Sequence, residues 1–192
     1  MHYRYADYNT PSADYWLIEI AGLETGLSAD MLRYPTMQHS HGMTRYHYRG
    51  MLVASSFRYS GAGPFDPRAL WKLWDSFAIE TSTMIGWWSA IEEGNNTVPV
   101  RCGEDNSEVK VTTFVKHGEA AMIVLADWNE AALSVDCTLS YNWSALGLKQ
   151  ATAKLHAPEL PPFQLGSVVR DYHVGETISI NVTAGGLLLI LE

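Results

Sequence analysis

"VKVTTFVKHGEAAMIVLADW" (109–128) decides how this chain is read. In its first eight residues, Val109, Val111, Thr113 and Val115 fall on one side of an extended backbone, because successive side chains point to opposite faces. "HGE" (117–119) supplies a turn, and "AAMIVLADW" (120–128) follows as an almost unbroken apolar run. A strand without a polar face needs cover on both sides, so this one is expected at the centre of a sheet.

The pattern continues toward the C-terminus. "LSVDCTL" puts Leu133, Val135, Cys137 and Leu139 on one face, "TISINV" does so with Ile178, Ile180 and Val182, and "GLLLIL" (186–191) closes the chain. Turn residues stand between them: "NEA" at 129–131, "VGE" at 174–176 and "AGG" at 184–186. Many short antiparallel strands predict a β-sandwich over 95–192.

Before residue 95 the chain has another character. "DYWLIEIAG" (14–22) is an apolar run interrupted by Glu19, and reads as a strand buried on both faces. "FDPRALWKLWDSFAIE" (65–80) reads as a helix, with Asp66 as N-cap and Pro67 at the first helical position. Leu70, Leu73, Trp74, Phe77 and Ala78 make its apolar face, which Trp71 broadens; Lys72 and Asp75 fall toward the other side. "TMIGWW" (83–88) reads as a second buried strand. Strand, long connection, helix and strand is the signature of a parallel α/β sheet. The fold expected is therefore α/β followed by all-β, with a boundary near 94/95.

Composition narrows the function. The net charge is −8 and Lys and Arg form no cluster, so neither nucleic acid nor an anionic membrane is an expected partner. The longest apolar run, "GGLLLIL" (185–191), is far too short to span a bilayer. The N-terminus has no apolar core of signal-peptide type. Two cysteines, Cys102 and Cys137, match no metal motif; they could pair or stay reduced.

"SADYWLIEIAGLETGLSADML", "HGMTRYHY" and "LWKLWDSFAIETSTMIGWW", followed by the 109–128 stretch, "LSYNWSALGL", "HAPELPPFQ" and the final "GGLLLIL", resemble the C-terminal part of glycoside hydrolase family 123-like proteins. The tryptophan segment and "APELPPFQ" are the most specific parts. The resemblance implies a (β/α)8 barrel followed by a β-sandwich, a carbohydrate substrate such as an N-acetylhexosaminide, and an extracellular or periplasmic setting. It implies no metal and no other cofactor. Residues 1–94 would then be the last units of a barrel, partnered by an upstream barrel segment of the same parent protein, because a full barrel needs about 250 residues.

The family's catalysis is substrate-assisted and uses an adjacent Asp-Glu pair. This chain has no Asp-Glu dipeptide, and the reversed Glu104-Asp105 does not match the motif, so the pair is not carried over. Glu19 is the weak catalytic candidate that remains. At the C-terminal end of a barrel strand it could donate a proton or hold a sugar hydroxyl, or it could pair inside the barrel with Arg45. In "GMTRYHYRG" (42–50), Arg45 and Tyr46 are candidate sugar contacts, with His41 just before them. Trp87 and Trp88 point to opposite sides of a strand, and the interior one could form a platform under a sugar ring. Trp71 and Trp74 read as helix packing, and Trp128 and Trp143 as core or inter-domain contacts. His39, His41 and His47 make a weak H-x-H-x5-H pattern in a segment without clear period. Elemental analysis of the purified chain is expected to return no stoichiometric zinc; a full equivalent that survives chelation would make these histidines a metal site.

Overall fold

The strand read as central is central. In the computed structural model, which describes residues 48, 50–52, 68–87, 98–103, 108–127, 134–161, 164–167, 169–183 and 185–192, Ala120–Asp127 lies between two neighbours in a six-stranded sheet. The described elements, in chain order, are α1 (Arg68–Phe77), β1 (Thr83–Ile85), β2 (Val100–Cys102), β3 (Val109–Lys116), β4 (Ala120–Asp127), β5 (Ser134–Tyr141), α2 (Trp143–Leu146), β6 (Thr152–His156), β7 (Arg170–His173), β8 (Ile178–Thr183) and β9 (Gly186–Leu191). One sheet, here sheet A, has the order β1-β3-β4-β9-β6-β7; the other, sheet B, has the order β2-β5-β8. Every ladder is antiparallel.

The two sheets enclose one core. Val109, Val111 and Val115 from β3, Ala121, Ile123 and Leu125 from β4, and Leu189 and Leu191 from β9 meet Val100, Cys137, Leu139, Ile178 and Val182 of sheet B. Sheet B has the one-sided pattern of a solvated antiparallel sheet: Asp136, Thr138, Ser179 and Asn181 are exposed between its buried residues. On that outer face Asn181 and Asp136 stand directly opposite, and the Asn181 amide donates to Asp136 Oδ1 at 2.7 Å. Cys102 and Cys137 are disulfide-bonded on the inner side, tying β2 to β5 across 35 residues of sequence with Cα atoms 5.3 Å apart.

Sheet A is apolar on its second face too. Phe114, Met122, Val124, Ala126, Leu188 and Ile190 form a second buried cluster there, covered by Leu70 and Phe77 of α1 and by Tyr48, Met51 and Leu52. The last three come from a helical turn in which the Leu52 N–H donates to the Tyr48 carbonyl at 3.1 Å. This double burial is why β4 reads as a continuous apolar run.

The turn expected at 117–119 falls where the sequence put it, while "NEA" (129–131) lies outside the described residues. Gly118, at φ 80°, closes the β3–β4 hairpin, whose Glu119 N–H donates to the Lys116 carbonyl at 3.0 Å. The α2 turn is capped by the Asn142 side chain, which accepts from the Ala145 N–H at 3.1 Å, and Gly147 ends it in the left-handed region.

Three expectations change. The 83–88 segment is not a buried strand of a parallel sheet. Its described strand has three residues, lies at the edge of sheet A and pairs antiparallel with β3, Met84 opposite Phe114. An apolar run records burial and not the direction of the neighbouring strand, which is why the sequence misled here. α1 ends at Phe77, and Ala78 adopts φ 51°, so Ala78 does not extend the helical face. Trp71, expected to broaden that face, is 39 % exposed. The strand read at 14–22 and the cap residues Asp66 and Pro67 lie outside the described residues.

The disulfide closes a loop of 35 residues, which chain-entropy reasoning makes worth about 3–4 kcal/mol. The double substitution Cys102→Ser, Cys137→Ser is expected to lower the unfolding free energy by roughly that amount in urea titration. An unchanged midpoint in reducing and oxidising buffer would show that the bond does not bear on stability.

Candidate functional site

One end of the sandwich carries a polar pocket. Arg101 and Ser140 stand directly opposite each other on β2 and β5, and with Val98, Tyr141 and Asn142 they line an open cavity of about 230 Å³. The position follows from local structure. The Asn142 N–H donates to the Pro99 carbonyl at 2.8 Å, which pins the end of β5 to the entry of β2. Asn142 then caps α2 with its side-chain oxygen.

Behind the pocket an aromatic group closes the gap between the sheets. The Tyr141 and Tyr172 rings are 4.7 Å apart and tilted, and Trp143 stacks on Tyr172 at 6.1 Å with an interplanar angle of 19°. Tyr172 is fully buried, and its hydroxyl donates to the Glu176 carbonyl. Arg170 pairs with Glu176 at 3.5 Å beside it, on exposed side chains. The Tyr141 hydroxyl and the Trp143 ring N–H are buried without a hydrogen-bond partner among the described residues.

The pocket is lined by a guanidinium, two hydroxyls and an amide, groups of the kind that hold oxygen-rich ligands. None of its described lining residues is a carboxylate, so these side chains supply no acid or base for glycosidic cleavage. Asp127 is a buried carboxylate, 1 % exposed, at the end of β4 and is not among the residues lining the pocket. Among the described residues no group of three His, Cys, Asp or Glu side chains could hold a metal ion.

A second polar constellation lies at the β9 ladder of sheet A, and no motif in the sequence pointed to it. Gln164, the last residue of "APELPPFQ", sends its side chain to β9. The Leu188 N–H donates to Gln164 Oε1 at 2.9 Å, and Gln164 Nε2 donates back to the Leu188 carbonyl at 2.9 Å. The same Nε2 donates to the Pro158 carbonyl at 2.8 Å, and the Tyr48 hydroxyl donates to the same Oε1 at 2.9 Å. Both donors and both lone pairs of the amide are used.

Of the sequence candidates, Glu19, His41, Arg45, Tyr46 and Trp88 lie outside the described residues, as do His39, His47 and Trp128. Trp87 is half-buried and packs against the outer cluster of sheet A together with Trp74 and Met84. Trp143 is a core residue, as one of its two readings had it. Asp75 is exposed on α1. The missed residues are Arg101, Tyr141, Asn142, Tyr48 and Gln164. Only the Asn142-to-Gly147 cap pair left a sequence signal, that of a short helix.

A disulfide-tied β-sandwich with a polar end pocket, fronted by a helix and a helical turn, defines a class of compact β-domain. Comparison with protein families places it further: the family described as Glycoside hydrolase 123, C-terminal domain, matches residues 66–192, more than half of the chain, and the chain belongs to that family. Comparison with curated proteins gives no match.

Burial pushes the Tyr172 hydroxyl up to about 12, with Glu176 adding to the shift and Arg170 opposing it. Burial also raises Tyr48 and, aided by Tyr172 and opposed by Arg170, Tyr141. A tyrosine whose folded pKa lies above its unfolded value of about 10 adds stability that is complete below pH ~10 and is lost above it. Stability is therefore expected to fall as pH rises from about 10 toward 12, with part of the tyrosinate absorbance appearing only as the fold is lost. Complete ionisation near pH 10 with the fold intact would show these hydroxyls to be freely solvated.

Proposed function

We propose that the chain is the C-terminal portion of a carbohydrate-active glycoside hydrolase. In this reading the sandwich is a non-catalytic support, and an N-acetylhexosaminide bond is cleaved by carboxylates in a (β/α)8 barrel encoded further upstream. The observation that carries the reading is that Tyr48, Met51 and Leu52, all before the family match at 66–192, are at most 1 % exposed against the sandwich. The domain is built to receive a preceding part of the chain. The absence of an Asp-Glu dipeptide supports placing the catalytic pair upstream.

Glu19, His41, Arg45, Tyr46 and Trp88 keep their proposed roles at the mouth of that barrel, as sugar contacts or, for Glu19, as an acid. Trp87 would serve only with the exposed part of its ring, since it also packs on sheet A. The barrel-derived part would take up the chain before the family match, while 68–87 packs on or pairs with sheet A. The Cys102–Cys137 disulfide favours an oxidising setting, extracellular or periplasmic.

A second reading is favoured by the Arg101–Tyr141–Asn142 pocket: a non-catalytic carbohydrate-binding module. Trp143 stacks on Tyr172 next to Tyr141, so occupancy should perturb tryptophan fluorescence. A saturable response to an amino sugar that disappears in Arg101→Ala supports this reading, and silence across amino sugars removes it.

For the first reading, the purified chain is expected to show no turnover of aryl N-acetylhexosaminides. The genomic DNA upstream of Met1 is expected to carry an in-frame barrel with an Asp-Glu pair. A stop codon directly upstream, or hydrolysis by this chain alone, would overturn it.

A further inference from the structure

β9 has a gap in its ladder. β6 pairs with it at Leu155–Leu191 and His156–Ile190 and then departs into "APELPP". Leu188 lies beyond the last of these pairs, and on that side its N–H and carbonyl would have no strand to bond. The Gln164 side-chain amide fills the place, with its oxygen on the N–H and its nitrogen on the carbonyl. Reversing the amide would set donor against donor and acceptor against acceptor, so its orientation is fixed by Leu188. That orientation leaves one lone pair of Oε1 facing the outer cluster, and the Tyr48 hydroxyl takes it.

Gly186 completes the seat. A Cβ placed there would stand 2.1 Å from Tyr48 Cγ, well inside any permitted contact. The residue is glycine where the Tyr48 ring lies on the strand. The hydroxyl is read by Gln164 and the ring by the absence of a side chain at 186. The turn carrying Tyr48 also buries Met51 and Leu52 completely, yet it begins upstream of the family match at residue 66.

We propose that the groove over Gly186, Leu188 and Gln164 is a specific latch for the Tyr48-bearing helical turn of this same chain. It fixes the upstream part of the polypeptide on the sandwich, and the folding unit of the domain extends upstream of its family boundary. That the latched part is catalytic rests on the function proposed above; the latch itself does not.

The test is hydrogen exchange and thermal melting on the full chain. In the wild type, the amides of 48–52 are expected to be protected together with those of β9. Tyr48→Phe keeps the ring and removes the hydroxyl with its bond to Gln164; exchange across 48–52 is expected to rise roughly tenfold or less, as one lost hydrogen bond warrants, with β3 and β4 unchanged. Gln164→Glu removes both Nε2 donors and should loosen 48–52 and the Leu188 amide together. Gly186→Ala should release the turn more strongly.

Tyr48→Gly distinguishes fit from general damage. A Cβ at 186 would also stand 2.3 Å from Tyr48 Cβ; with the ring and that Cβ both gone the methyl at 186 has room, so Gly186→Ala should cost markedly less in the Tyr48→Gly background than in the wild type. Equal costs in the two backgrounds, or 48–52 amides that exchange freely in the wild type, would overturn the latch. No readout involves sugar or hydrolysis, so a chain that proves unrelated to glycoside cleavage would leave the result standing.

Discussion

The β3-β4-β9 part of sheet A is apolar on both faces, and the rest of the structure is arranged to keep water from each. Val124 and Leu188 point away from sheet B yet are fully buried, while Ile123 and Leu125 point toward it and are also fully buried. Burying each such side chain is worth about 1.5–3 kcal/mol. Leaving the outer face open would forfeit that for Met122, Val124, Leu188 and Ile190 and present a contiguous apolar patch, which folded surfaces rarely carry. Sheet B and its disulfide protect one side. On the other, α1 and the Tyr48 turn are the cover, so they are integral to the domain rather than decoration on it.

The balance on that outer side is narrow. Ordering five residues at 48–52 costs on the order of 1–2 kcal/mol each in backbone entropy. Burying Tyr48, Met51 and Leu52 returns on the order of 1.5–3 kcal/mol each. The two nearly cancel, so small specific terms decide whether the turn is seated. Those terms are the Tyr48–Gln164 hydrogen bond and the close approach of the ring to Gly186. A contact set so near balance discriminates well, because a single methyl or hydroxyl is comparable to the net.

How much of this could be read beforehand depends on which interactions are local. β3, β4, β5, β8 and β9 were legible because their inward and outward residues alternate, or fail to alternate, within the segment itself. The hairpin turn at Gly118 was legible for the same reason. Partner identity was not. Met84 and Ile85 are apolar whether the neighbour runs parallel or antiparallel, and only the ladder with β3 shows which. Gln164 was invisible as a structural residue, because its meaning lies in a strand 24 residues away and a tyrosine 116 residues away. The pocket was missed because Arg101 and Ser140 become neighbours only through strand pairing.

The distribution of polar work within the sandwich bears on what kind of domain it is. Gln164 has every hydrogen-bonding position of its amide engaged. The Asn142 side-chain oxygen caps a helix, Asn181 is held by Asp136, and Tyr172 donates to the backbone at Glu176. A catalytic acid needs a carboxyl with an incompletely satisfied, tunable environment in reach of substrate. Here these polar groups are spent on closing ladders, capping turns and joining strands, and the described lining of the open pocket is a guanidinium, hydroxyls, an amide and a valine without a carboxylate. That pattern favours the supporting role proposed above: the polar groups named here are directed at the domain's own backbone and at the Tyr48 turn it holds.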